Sequence, residues 1–133
     1  MQFIMFNKNV VYEALKRSVT AGPGGKMKSG KNSIEQDSLI SLLMHDVFGG
    51  EILKTHTKKN WHFYNRIDGE RVDFARPETQ KADANSRFED IPSTPDETYS
   101  YVDQTDYTTF FMSFVRSFEE TVGLDKYRQG LIA

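Results

Sequence analysis

The feature that most constrains this chain is the dipeptide Asp68-Gly69, set between two stretches in which apolar and polar residues alternate. A two-residue type I′ loop needs positive φ at both central positions, and Asp-Gly is one of the few pairs that adopts this without strain. Such a loop fixes the register of the strands on either side. It places Ile67 opposite Glu70, Arg66 opposite Arg71, Asn65 opposite Val72, Tyr64 opposite Asp73, Phe63 opposite Phe74 and His62 opposite Ala75. Side chains alternate across a strand, so Trp61, Phe63, Asn65, Ile67, Val72 and Phe74 share one face, and His62, Tyr64, Arg66, Arg71 and Asp73 share the other. His62 and Asp73 are then diagonal neighbours, roughly 7–8 Å apart, near enough for the carboxylate to orient the ring.

Upstream of the hairpin, Leu39, Leu43 and Val47 recur at four-residue steps, as do Ile40 and Met44, while Ser38, Ser41 and His45 fall on the other side. This is the pattern of an amphipathic helix packed on a sheet, and it begins near Asp37. Asp37 has two readings there: an N-cap favoured by the helix end, or a carboxylate presented toward His62. The turn Phe48-Gly49-Gly50 leads into a strand from Glu51 to Thr57, and Lys58-Lys59-Asn60 turns it into Trp61, giving a three-stranded antiparallel meander. Residues 9–19 predict an N-terminal helix. Phe110, Phe114, Phe118 and Val122 predict a C-terminal one, capped by Thr105 or Asp106 and ending at Gly123. Between Pro77 and Gln104 the chain turns polar, with acidic but no basic residues from Glu89 to Asp106, and reads as a long loop, an active-site rim or a partner-binding flap. The expected fold class is α+β in a single domain, 1–133: a central helix on an antiparallel sheet of at least three strands, with N- and C-terminal helices.

Composition narrows the function classes. The chain has no cysteine, which excludes disulfides, thiolate-held metals and a cysteine nucleophile. Its three histidines, His45, His56 and His62, lie on separate predicted elements without metal-ligand spacing, so no metal and no cofactor are expected. The glycines after Ala21 lack the spacing of a phosphate loop, and Lys26, Lys28 and Lys31 have no aromatic partner for base stacking, so no nucleic acid is expected as a partner. No apolar run approaches the roughly 20 residues needed to span a bilayer, and Met1 to Phe6 lacks the basic start of a secretory signal. The expectation is a cytoplasmic protein with no membrane partner. Net charge is −2, divided as +4 over residues 1–60 and −6 over residues 61–133, an asymmetry with two readings: ordinary solvated faces, or complementary patches on two copies of the chain in a homodimer.

Gln36-Asp37, the apolar helix after it, Asp46-x-Phe48-Gly49-Gly50-Glu51-Ile52-Leu53, Trp61-His62-Phe63-Tyr64-Asn65 and Val72-Asp73-Phe74 resemble the motifs of the uncharacterised bacterial YunG family. Little family pattern is visible beyond Phe74. In that family the residue after the Gln is typically Cys. The resemblance implies a Cys, His and Asp arrangement similar to papain-like and NlpC/P60-like cysteine hydrolases, with the nucleophile at a helix N-terminus facing a His on an adjacent strand. His62 and Asp73 match, but Asp37 stands at the Cys position, so a cysteine-peptidase activity does not carry over. The expectation is a catalytically degenerate relative that keeps a pocket for a small molecule or peptide, with Gln36 and Tyr64 as binding residues. The alternative is an active hydrolase or acyl-transferase-like enzyme with Asp37, His62 and Asp73 as catalytic residues, His62 serving as general base or acid and Asp73 fixing its tautomer.

Overall fold

The structure, a computed structural model, describes residues 6–20, 33–74 and 88–128. They form α1 (Lys8–Thr20), α2 (Ser33–Phe48), β1 (Glu51–His56), β2 (Trp61–Ile67), β3 (Glu70–Val72), β4 (Ile91–Ser93), α3 (Pro95–Tyr99) and α4 (Gln104–Arg128). The class is α+β. Two compact units are present: one holds α2, the sheet and α3, the other holds α1 and α4.

In the first unit the strands run in the order β3-β2-β1-β4, every neighbouring pair antiparallel. The hairpin register is the one the Asp-Gly loop dictates: Asn65 pairs with Val72, Arg66 with Arg71 and Ile67 with Glu70. Asp68 and Gly69 have φ of 53° and 79°, as a type I′ loop requires. Regular pairing stops at Val72, and Asp73 continues alongside β2 without ladder bonds. A second turn makes a stronger demand on glycine. Gly50 has a φ of 82°, and a Cβ there would collide with the backbone carbonyl of Arg66, so no other residue lets β1 start this close to β2.

Helix α2 begins at Ser33, four residues before Asp37, which corrects the expectation that it starts near that residue. Ser38 and Ser41, read as belonging to its polar side, are buried together with Leu39, Leu42, Leu43 and Met44. Buried on nearly every side, the helix lacks the polar stripe that would have marked its start. The stretch read as a long loop contains β4 and α3. Strand β4 exists through its pairing with β1, Ile52 with Ser93, Leu53 with Pro92 and Lys54 with Ile91. Helix α3 is opened by Thr94, whose hydroxyl accepts from the Glu97 N–H at 3.1 Å, with Pro95 in the first turn.

In the second unit, Asn7 caps α1 by accepting from the N–H groups of Asn9 and Val10, both at 3.1 Å. Val11, Ala14 and Leu15 of α1 are buried, as are Phe110, Phe114, Ser117 and Thr121 of α4. The Ser18 and Thr121 hydroxyls each donate to a carbonyl one turn back at 2.7 Å, which lets small polar residues sit in a packed face. Gly123 lies inside α4, which runs on to Arg128 and does not end at the glycine as expected. A helix already held by packing tolerates a mid-helix glycine at a cost of about 1 kcal/mol. The glycines after Ala21, Lys26, Lys28, Lys31, Ala75, the stretch 77–87 and residues 129–133 lie outside the described residues. Among the described residues no helix is long and apolar enough to cross a membrane.

Candidate functional site

Three side chains from three places in the sequence meet inside the first unit. Asp37 comes from the second turn of α2, His62 from the second position of β2, and Asp73 from the residue that follows β3. The Nδ1 of His62 lies 2.5 Å from Asp37 Oδ2, and its Nε2 lies 2.6 Å from Asp73 Oδ2. The diagonal between His62 and Asp73 follows from the hairpin register, and the contact with Asp37 decides between that residue's two readings. It is no N-cap, because the helix has already run one full turn when Asp37 is reached.

Burial gives these contacts their force. Asp37 and His62 are each 1% exposed and the Asp73 side chain 9%. Both ring nitrogens face carboxylate oxygens at hydrogen-bond distance, so with both carboxyl groups ionised each contact needs a proton on the ring nitrogen it meets. Burial alone would discharge the ring, but the hydrogen bonds to Asp37 and Asp73 and their negative charges outweigh it and raise the His62 pKa to about 9. At neutral pH His62 is therefore an imidazolium between two carboxylates, and it has no free nitrogen with which to take a proton from anything else. Among the described residues two buried side-chain polar atoms lack a hydrogen-bond partner: Asp73 Oδ1 and the hydroxyl of Ser38, which follows Asp37.

The residues around the triad are committed to the fold. Asn65 donates through Nδ2 to the Ser41 carbonyl of α2 at 3.0 Å, tying β2 to the helix one turn beyond Asp37. Tyr64, expected to bind a ligand, is 1% exposed and stacks on His62 with ring centroids 5.7 Å apart. Its hydroxyl donates to Asp90 Oδ1 at 2.8 Å and accepts from the Asp90 N–H at 2.7 Å. Burial and the Asp90 carboxylate push the phenol up, so it stays protonated. Gln36, the other expected binding residue, is half-buried on α2 and takes no part in the hydrogen bonds of the triad. A cleft of about 440 Å³ in the same unit is lined by Glu35, Asn60, Tyr101 and Asp103 among others, and Gln36 is not part of its lining. Glu35 stands two residues before Asp37 and Asn60 two before His62, so the cleft borders the same ends of α2 and β2. Its volume falls in the range of small-ligand sites, about 300–1,000 Å³.

The other two histidines are placed elsewhere. His45 Nδ1 lies 3.1 Å from the Gly50 carbonyl, and His56 Nδ1 lies 2.9 Å from Glu89 Oε2. Among the described residues no three His, Asp or Glu side chains are arranged to hold a metal. The sequence reading missed Glu89, Asp90 and Arg71 as partners. Arg71 grips Asp90 with two hydrogen bonds of 3.0 and 2.6 Å, and Thr55 and His56 grip Glu89. An acidic run together with a hairpin that carries one arginine on each strand was the available signal, but charge pattern does not say which carboxylate reaches which partner.

A family model described as YunG protein matches residues 7–117, well past Phe74, where the recognisable motifs stop. The chain is also similar to the uncharacterized protein YunG of Bacillus subtilis (strain 168), with 31% identity over 102 residues, covering 77% of this chain and 86% of the relative. No solved structure matches it.

Proposed function

The chain belongs to the YunG family, and we propose that it is a catalytically degenerate relative of papain-like cysteine hydrolases that keeps a pocket for a small molecule or peptide. The observation that carries this reading is the line of Asp37, His62 and Asp73, with the helix-borne residue on one ring nitrogen and the orienting carboxylate on the other. Nucleophile, base and orienter stand in that same relation in a covalent hydrolase. Here the helix-borne group is an anion. It holds the base protonated, and neither ring nitrogen is left to activate a hydroxyl. Ser38, the adjacent hydroxyl, makes no hydrogen bond to the ring. Acyl transfer through this triad has no nucleophile, whereas binding in the neighbouring cleft needs none.

The test restores the missing group. In Asp37→Cys the thiol faces His62 Nδ1, and the imidazolium stabilises the thiolate, so the thiol pKa is expected to fall below about 7 from a free value of about 8.5. The helix end contributes little, because position 37 lies beyond the first turn, where that field fades. Position 37 is also buried, so the reading is taken from thiolate ultraviolet absorbance against pH, which needs no reagent to enter. Adding His62→Gln is expected to return the pKa toward the free value. A thiol that titrates near about 8.5 whether or not His62 is present sinks the hydrolase ancestry of this site.

A further inference from the structure

The Asp90 carboxylate sits in a cradle of a kind that recognises carboxylates. Arg71 holds it with both arms of its guanidinium, Nε to Oδ1 at 3.0 Å and Nη2 to Oδ2 at 2.6 Å. Tyr64 adds a hydroxyl at 2.8 Å, and Arg66 Nη2 stands 3.6 Å away while its other arm binds Glu51 at 3.0 Å. Phe88 closes one wall: its ring meets Tyr64 edge-on at 4.8 Å and lies 4.5 Å under the Arg71 guanidinium. A two-armed arginine grip with an added hydroxyl is the geometry that fixes a planar carboxylate. The backbone of Asp90 has a φ of 55°, a conformation less favourable for a residue with a side chain, so delivering this carboxylate carries a conformational cost. The cradle is open to solvent, with the Arg71 side chain 42% and Arg66 35% exposed. With Asp90 in place, two arginines face two carboxylates, Asp90 and Glu51; with Asp90 swung out, one positive charge is uncompensated.

We propose that Arg71, Arg66 and Tyr64 form a carboxylate-binding site that Asp90 occupies from within the chain, and that the carboxylate of a small molecule or of a peptide C-terminus takes its place. This deepens the reading of the protein as a binding relative by naming the ligand's chemistry. The ring of Tyr64 lies between the cradle and His62, so a ligand held at Arg71 is one aromatic ring away from the buried triad. An intramolecular carboxylate acts at an effective concentration in the millimolar range or above, so a simple carboxylate competes weakly until Asp90 is neutralised.

The experiment follows the NMR signal of the Arg71 Nε–H during titration with N-acetylglycine, with N-acetylglycinamide as the uncharged control. In the full chain a saturable shift is expected with the acid only. In Asp90→Asn, which keeps the backbone N–H bond to Tyr64 but removes the competing charge, affinity is expected to rise about tenfold. In Arg71→Gln the response of the neighbouring Tyr64 ring signals to N-acetylglycine is expected to vanish. Acetate and N-acetyl-alanyl-alanine, titrated in parallel, separate a small carboxylate from a chain terminus by which binds more tightly. Absence of a saturable shift in both the full chain and Asp90→Asn overturns the proposal, as does equal binding of the amide or binding that survives Arg71→Gln. Should Asp90→Asn fail to fold, the full chain and Arg71→Gln decide alone. A thiol at position 37 does not report on Arg71, so this proposal and the hydrolase ancestry can fail separately.

Discussion

Replacing His62 with alanine is expected to destabilise the unit that contains it by about 3–5 kcal/mol, the cost of leaving buried charges without their partner. The two carboxylates lie 2.5 and 2.6 Å from the ring, and His62 and Asp37 are sealed from water. Removing the imidazolium leaves Asp37 and Asp73 facing one another across a cavity with no cation between them. The chain has a single tryptophan, Trp61, next to His62 in β2, so its fluorescence during urea unfolding reports on this unit directly. Adding Asp37→Asn to His62→Ala is expected to recover part of the loss, because one of the two stranded charges is then gone; the non-additivity measures the coupling. A loss below about 1 kcal/mol for His62→Ala would mean that the carboxylates relax into water or take up protons without strain, and the triad would not be an ionic centre of the fold.

How much of this centre could be read in the sequence depends on what kind of rule placed each member. The contact between His62 and Asp73 was legible because it is local. Asp68-Gly69 sets the loop, the loop sets the register, and a sheet's two-residue period does the rest. Asp37 was not legible in that way. Its position on the helix axis depends on where α2 starts, and a helix buried on most sides, with Ser38 and Ser41 inside, carries no polar stripe to mark that start. The helix pattern left Asp37 with two readings, and the likeness to known motifs pointed to the one in which it meets His62.

The acidic stretch shows the opposite failure. Its composition predicts a solvated rim, yet Glu89, Asp90 and Glu97 are each tied to a strand residue far away in sequence. Thr55 and Glu89 are separated by 34 positions, Lys54 and Glu97 by 43. A three-residue strand such as β4 has too few residues to show a period and exists only through its pairing with β1. Thr94-Pro95 with Glu97 three residues after the threonine was, by contrast, a readable helix start.

The same ionic centre predicts a pH dependence that runs opposite to ordinary acid denaturation. His62 has a folded pKa raised to about 9 from an ordinary 6.5, so the folded state binds its proton more tightly than the unfolded state does. The stabilisation is fully present below about pH 6.5 and is lost progressively as pH rises from there through about 9, a total of about 3 kcal/mol. The groups that face the ring are Asp37 from α2, Asp73 after β3 and Tyr64 from its own strand, and the Tyr64 phenol is pushed further up and stays neutral across this range. Urea unfolding followed at Trp61 is expected to show a falling midpoint between about pH 6 and pH 9.5, with an unchanged dependence on urea. Asp37→Asn provides the control, since one flanking charge is removed and the ring binds its proton less tightly. In that variant the decline is expected to shrink and to end at lower pH. Stability that stays level or rises across this interval in the unaltered chain would show that His62 is neutral in the fold. One of the two carboxyl groups would then have to carry the proton that the geometry gives to the ring.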